Sequence, residues 1–154
     1  MSSTTDQAAN DQMVSASRVI AAPIEKIFDI VADPRRHQDF DGSDTVSQAQ
    51  LGPKRLKLGA KFGMRMSIGP VPYFMRSKVV EFEENKRIAW AHFGKHRWRY
   101  EFEEVEGGTK VTETFDYSTS LSPAFIEKSG YPEKHKVNIA KTLERLDEVA
   151  TTTA

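Results

Sequence analysis

The stretch Arg97-Trp98-Arg99-Tyr100-Glu101-Phe102-Glu103 alternates strictly between charged and aromatic residues. Successive side chains of a β-strand point to opposite faces, so this run reads as a half-buried strand. Trp98, Tyr100 and Phe102 face inward, and the charges face water. Downstream, Gly107-Gly108 supplies a hairpin turn. Thr109 to Tyr117 then repeats the period, with Val111, Glu113, Phe115 and Tyr117 on one face. Upstream, Ile88, Trp90 and His92 share a face behind a tight turn at Glu84-Asn85-Lys86. Tyr73 to Phe82 is the strand before that turn. Gly69-Pro70-Val71-Pro72 has turn chemistry and follows a strand in which Phe62, Met64, Met66 and Ile68 alternate with Lys61, Gly63, Arg65 and Ser67. Thr45 to Leu51 is a weaker strand. Consecutive strands joined by short turns form an antiparallel sheet.

Helical spacing frames this run. Val14 to Ile20 is a first strand, and Pro23 fits the opening position of a helix, where its missing N–H costs nothing. Ile24, Ile27, Phe28 and Val31 follow at helical intervals, and Asp33-Pro34 ends that helix. An irregular segment runs through His37, Phe40 and Gly42. Ser122-Pro123 starts a short helix carrying Phe125 and Ile126, broken at Gly130. Pro132 opens a last helix whose Ile139, Leu143, Leu146 and Ala150 make one apolar stripe. A sheet with one apolar face must cover it, and the last helix is the long element available. The expected class is α+β, a curved antiparallel sheet wrapped around a long C-terminal helix with an internal cavity.

The 154 residues suit one domain. The expected division is a disordered lead-in over 1–13, the domain over 14–150 and a tail over 151–154. Lys and Arg number 22, as do Asp and Glu, a balance that argues against nucleic-acid binding by bulk charge. There is no cysteine, hence no disulfide, thiolate nucleophile or thiolate-ligated metal. No apolar run is long enough for a membrane span, and the polar start lacks the pattern of a secretory signal, so a cytoplasmic protein is expected.

Ser17-Arg18-Val19-Ile20-Ala21-Ala22-Pro23-Ile24-Glu25-Lys26-Ile27-Phe28 resembles the opening of START-like, Bet v 1-like (SRPBCC) proteins. Asp33-Pro34, the aromatic Phe40, the hairpin from Val79-Val80-Glu81-Phe82 to Arg87-Ile88-Ala89-Trp90, and Gly107-Gly108-Thr109-Lys110-Val111-Thr112 extend the resemblance over Val14 to Ala150. It implies the helix-grip fold and a ligand cavity, as in relatives of the polyketide cyclase/dehydrase and lipid-transport type. It carries over no catalytic motif, because none is matched.

The inferred inward face is rich in methionine, which adapts to irregular apolar shapes, and in aromatics with a polar tip. The residues expected to touch a ligand are Phe62, Met64, Met66, Tyr73, Met75, Trp90, Trp98, Tyr100, Phe115, Tyr117, Phe125, Ile139 and Leu143. Taken singly, each reads first as core packing against the last helix; the set as a whole carries the ligand reading. The expected function is binding of a hydrophobic small molecule, such as a lipid, polyketide-like or isoprenoid compound. Ser118 to Pro132 would gate the cavity. A second reading is a cyclase/dehydratase in which His92 and Glu113, sharing the parity of the aromatics, act as acid and base. Against it, either could sit at a strand end in water or pair with Arg76 or Arg99. A third reading is a protein-interaction module. His37, beside Asp39 and Asp41, reads as a solvated loop rather than a metal site, and His96 and His135 read as exposed. No metal and no cofactor is expected. Lys54, Arg55, Lys57, Lys61 and Arg65, with Lys95, Arg97 and Arg99, read as solvated strand faces; the alternative is a patch for an anionic lipid or a carboxylated ligand. The partner is the small molecule, and the chain is a monomer or a homodimer.

Overall fold

The computed structural model describes residues 12–42, 46–51, 53–92 and 95–152. Seven antiparallel strands form one sheet in the order β1-β7-β6-β5-β4-β3-β2. They are β1 (Met13–Ile20), β2 (Val46–Leu51), β3 (Lys61–Ile68), β4 (Val71–Glu83), β5 (Arg87–Ala91), β6 (Arg97–Val105) and β7 (Gly108–Asp116). The helices are α1 (Ile24–Val31), α2 (His37–Phe40), α3 (Pro123–Ser129) and α4 (Tyr131–Thr152). From β2 to β7 the chain is a simple meander. β1 is the exception, crossing over to pair with β7.

The alternation that opened the analysis sets the layers. In register, Ile88, Tyr100 and Glu113 lie side by side across β5, β6 and β7, and Trp90, Trp98 and Phe115 form the next row. This inner face is covered by α4, whose Ile139, Leu143, Leu146 and Ala150 are all buried. The architecture is the α+β helix grip expected from the sequence. Of the tail expected over 151–154, Thr151 and Thr152 are instead helical, their hydroxyls donating to the Asp147 and Glu148 carbonyls at 2.6 and 2.5 Å; residues 153–154 lie outside the described residues. Of the expected lead-in, residues 1–11 lie outside the described residues, and Met13 already opens β1.

Pro23 precedes α1 in an extended conformation (φ −71°, ψ 153°) and leaves no side-chain cap to make. Ile27, Phe28, Ile30 and Val31 are buried, and Phe28 meets Phe82 and Phe102 edge-on, with ring centroids 5.7 and 5.2 Å apart. These contacts plug one end of the sheet. Arg55, expected in a free basic run, instead donates to Asp29 at 2.8 Å and Glu84 at 2.6 Å. On the outer face a bulge between Val79 and Glu81 brings Glu81 under two guanidinium groups. Its carboxylate accepts from Arg97 at 2.6 Å and Arg99 at 2.8 and 2.7 Å, and Arg99 also reaches Asp116 at 3.2 Å. Arg97 and Arg99 are therefore members of a half-buried ion network rather than solvated charges.

Gly42 fixes how closely α4 can approach. A Cβ there would stand 2.5 Å from the Asn138 carbonyl and 2.6 Å from the Thr142 nitrogen, so only glycine fits. Its own N–H donates to the Thr142 hydroxyl at 2.8 Å.

Candidate functional site

Between the inner face of the sheet, α2 and α4 lies a cavity of about 140 Å³. Its apolar wall comprises Phe40, Phe62, Met66, Met75, Trp90, Trp98 and Ile139; Tyr100, Glu113, His37, His92, Ser77, Asp41, His135, Asn138 and Thr142 supply polar groups.

Glu113 is the most unusual of these. It is 4 % exposed, sits mid-strand on β7, and is hydrogen-bonded to Tyr100, its register neighbour on β6. Burial holds its pKa well above the ordinary carboxylate value; the Tyr100 bond opposes that shift and the charge of Asp41 adds to it. A carboxyl group in this setting keeps its proton. Its Oε1 has no hydrogen-bond partner among the described residues, so one polar atom of a neutral acid is open to whatever enters the cavity. Burial also raises the Tyr100 phenol well above its usual range.

His37 is a correction to the sequence reading. It is 5 % exposed and stacks on Trp90 with centroids 4.7 Å apart and planes at 20°. Phe40 and Phe62 meet it edge-on. Its Nε2 donates to the Val31 carbonyl at 2.9 Å, which fixes the Nε2–H tautomer. Burial pushes its pKa down to about 4, against smaller upward pulls from that bond and from Asp33. The short turn Pro34–Arg36 carries His37 out of what looked like a loop and into the core.

The other histidines gather at the opposite end. His92 Nδ1 and the Ser77 hydroxyl are 2.7 Å apart. The His92 and His96 rings lie 5.5 Å apart, and His96 and His135 both contact Phe115, at 5.3 and 4.4 Å. Burial, then the charge of His96, lowers His92 and His135 to about 4 each. His96 is lowered by burial. Neither His96 nor His135 is the exposed residue expected. Among the described residues no three His, Asp or Glu are arranged to hold a metal ion.

Of the residues proposed from strand parity, Phe62, Met66, Met75, Trp90, Trp98, Tyr100 and Ile139 line the cavity, as do His92 and Glu113. Among the described residues neither of the last two pairs with an arginine side chain; Arg99 is taken by Glu81 and Asp116. In register, however, His92 and Glu113 are two strands and four residues apart, roughly 16 Å along a flat ladder. They face opposite ends of the cavity. Phe115, Tyr117 and Leu143 are buried packing residues behind the wall. Tyr73 sits on a shallow hollow with Arg65, Pro72 and Phe74, because β4 runs past the end of the cavity. Phe125 is 66 % exposed: α3 turns it outward. The Met64 side chain lies outside the described residues.

The whole of this architecture matches a known family. Residues 11–151 match the model of the polyketide cyclase / dehydrase and lipid transport family. The chain belongs to that family. A relative, the uncharacterized protein Rv0088 of Mycobacterium tuberculosis, is 39 % identical over 140 residues, covering 88 % of this chain. The chain spans 62 % of that relative's length. Among solved structures, protein NE0264 of Nitrosomonas europaea superposes with a TM-score of 0.69 at 15 % identity, covering 93 % of this chain and 96 % of that one. The polyketide-cyclase-like protein Cgl2372 of Corynebacterium glutamicum gives 0.59 at 24 %, covering 92 % and 90 %. These likenesses establish the SRPBCC-type fold. Membership of the polyketide cyclase / dehydrase and lipid transport family makes this a ligand-binding type of domain. No helix among the described residues is long and apolar enough to cross a membrane.

Proposed function

We propose that this member of the polyketide cyclase / dehydrase and lipid transport family binds a molecule whose cavity-filling part is compact and mostly apolar, with one hydrogen-bonding group. The observation that carries the reading is the unpartnered Oε1 of the buried, neutral Glu113 in a cavity whose apolar wall is largely aromatic. A polar atom buried without a partner costs about 1–3 kcal/mol, and a ligand that supplies the missing bond recovers it. The volume of about 140 Å³ is close to the roughly 150 Å³ that accommodates benzene and below the roughly 300–1,000 Å³ of drug-sized pockets. One ring or a short branched chain fits; a long acyl chain or a multi-ring product does not fit this form of the cavity.

The test is calorimetric titration with the neutral single-ring phenol p-cresol. Trp98, which lines the cavity and is only partly buried, is the residue to change. Trp98→Ala should weaken binding up to about tenfold, the worth of one aromatic contact. Affinity unaltered by Trp98→Ala would place the probe elsewhere and remove the reading.

A second reading, a cyclase or dehydratase, is favoured by one observation: Glu113 is an acid that holds a transferable proton in the cavity. The distance between His92 and Glu113 disfavours their acting on one atom. Dehydration of a small β-hydroxy ketone, followed by enone absorbance, tests it. A rate equal to that of Glu113→Gln would dispose of it.

A further inference from the structure

A second hollow adjoins the cavity on the outside of the sheet, with a volume of about 480 Å³. Lys61, Arg76 and Lys78 line it. Lys61 and Lys78 are register partners, and Arg76 lies opposite Gly63, so all three project from one face. All three are exposed, and among the described residues none of them makes an ion pair. The local sequence supplies no acid to neutralise them. Between Asp44 and Glu81 the chain contains seven basic residues (Lys54, Arg55, Lys57, Lys61, Arg65, Arg76, Lys78) and no Asp or Glu, although the whole protein is balanced.

The outer hollow and the cavity share Phe62, Ser77 and His92. They meet where the sheet is incomplete. β5 stops at Ala91, opposite Lys78, so among the described residues no strand pairs with residues 71–77 of β4 on that edge. The Ser77–His92 hydrogen bond stands in this gap.

Resting on the binding reading above, we infer that the ligand is an anionic amphiphile: its apolar part fills the cavity, and its sulfonate-, phosphate- or carboxylate-like group passes the gap at Ser77 and His92 to lie among Lys61, Arg76 and Lys78. Three like charges held together without a counter-ion repel one another, and an oxyanion relieves that repulsion. Glu113, neutral at the far end, adds no opposing charge.

Two single-ring probes, titrated calorimetrically, separate the possibilities: 4-methylbenzenesulfonate, and p-cresol, which carries a neutral hydroxyl in place of the sulfonate. The wild-type chain should bind the sulfonate at least tenfold more tightly at low salt, with the advantage shrinking as salt is added. The triple variant Lys61→Gln/Arg76→Gln/Lys78→Gln should lose that advantage and hold the neutral probe within twofold, which also reports that it has folded. Equal affinity of the wild type for both probes would overturn the inference and leave the binding reading intact. Failure of both probes would remove the two together. Should the triple variant keep its preference for the sulfonate but lose co-sedimentation with phosphatidylglycerol vesicles, the cations serve a lipid surface and the inference is again overturned.

Discussion

Replacing Glu113 with glutamine should make the protein more stable, by an amount that grows with pH. In the folded chain the Glu113 carboxyl keeps its proton because it is 4 % exposed and its pKa is held well above the ordinary 4.5. In the unfolded chain it ionises near that ordinary value. Over the interval between the two, the unfolded state has released a proton that the folded state retains. Unfolding therefore becomes easier as pH rises, by about 1.4 kcal/mol per pH unit. Below pH 4.5 both states are protonated and the effect vanishes; above the folded pKa it levels off. Glutamine does not ionise and preserves the shape and the bond to Tyr100. The wild type should thus lose about 1.2 kcal/mol relative to Glu113→Gln between pH 5 and 6. Urea denaturation followed by tryptophan fluorescence at half-unit pH steps measures the difference. Any constant offset reports the altered hydrogen bond; only the slope reports the proton. A difference that stays flat from pH 5 to 7 would mean that Glu113 ionises in the fold, and the neutral-acid description of the cavity would be wrong.

Other residues give further tests. His37 has the opposite sign: its pKa is depressed to about 4, so stability is lost as pH falls from 6.5 towards 4, by about 3 kcal/mol in all. His37→Gln should flatten the acid limb of the same urea series by about one proton; an unchanged acid limb would contradict its burial. Glu81, drawn down to about 2 chiefly by Arg99, stabilises the fold above pH 4.5 and loses that contribution as pH falls towards 2. Glu81→Gln leaves Arg99 with Asp116 alone and should cost about 2–3 kcal/mol at pH 7, read from the urea midpoint, with a value near zero refuting the network. Gly42→Ala inserts a methyl group into the backbone of α4 and should cost about 2 kcal/mol while weakening p-cresol binding. Full retention of both would show that α4 is free to move.

The parts of this molecule visible in its sequence are those governed by a repeat. The two-residue period of β6 and β7 specified which aromatics face inward, and the spacing Ile139, Leu143, Leu146, Ala150 specified the face of α4 that is buried. The polar half of the site had a weaker signal. His135, Asn138 and Thr142 continue the same helical stripe backwards at three- and four-residue steps, so extending it through polar residues would have found them. His37 had no such signal. It lies in one turn of 3₁₀ helix and one of α-helix, too short to show a period, and its burial depends on a carbonyl six residues away and on the Trp90 ring. Phe125 misled because its neighbours are apolar; α3 is short enough that its orientation is set by the chain on either side of it.

The crossover of β1 also bears on how the protein folds. Six of the seven strands form a meander whose partners are near in sequence. β1 instead joins β7 across a span such as Ser17 to Thr112, 95 positions apart, whose hydroxyls are 2.7 Å from one another. Closing so long a loop is entropically unfavourable until the intervening hairpins have shortened it. The meander can zip from local turns, whereas β1 must wait for β7. During synthesis the first strand therefore emerges without a partner and stays so until the last strand has been made. In that interval its unpaired backbone edge must be kept from pairing with other chains.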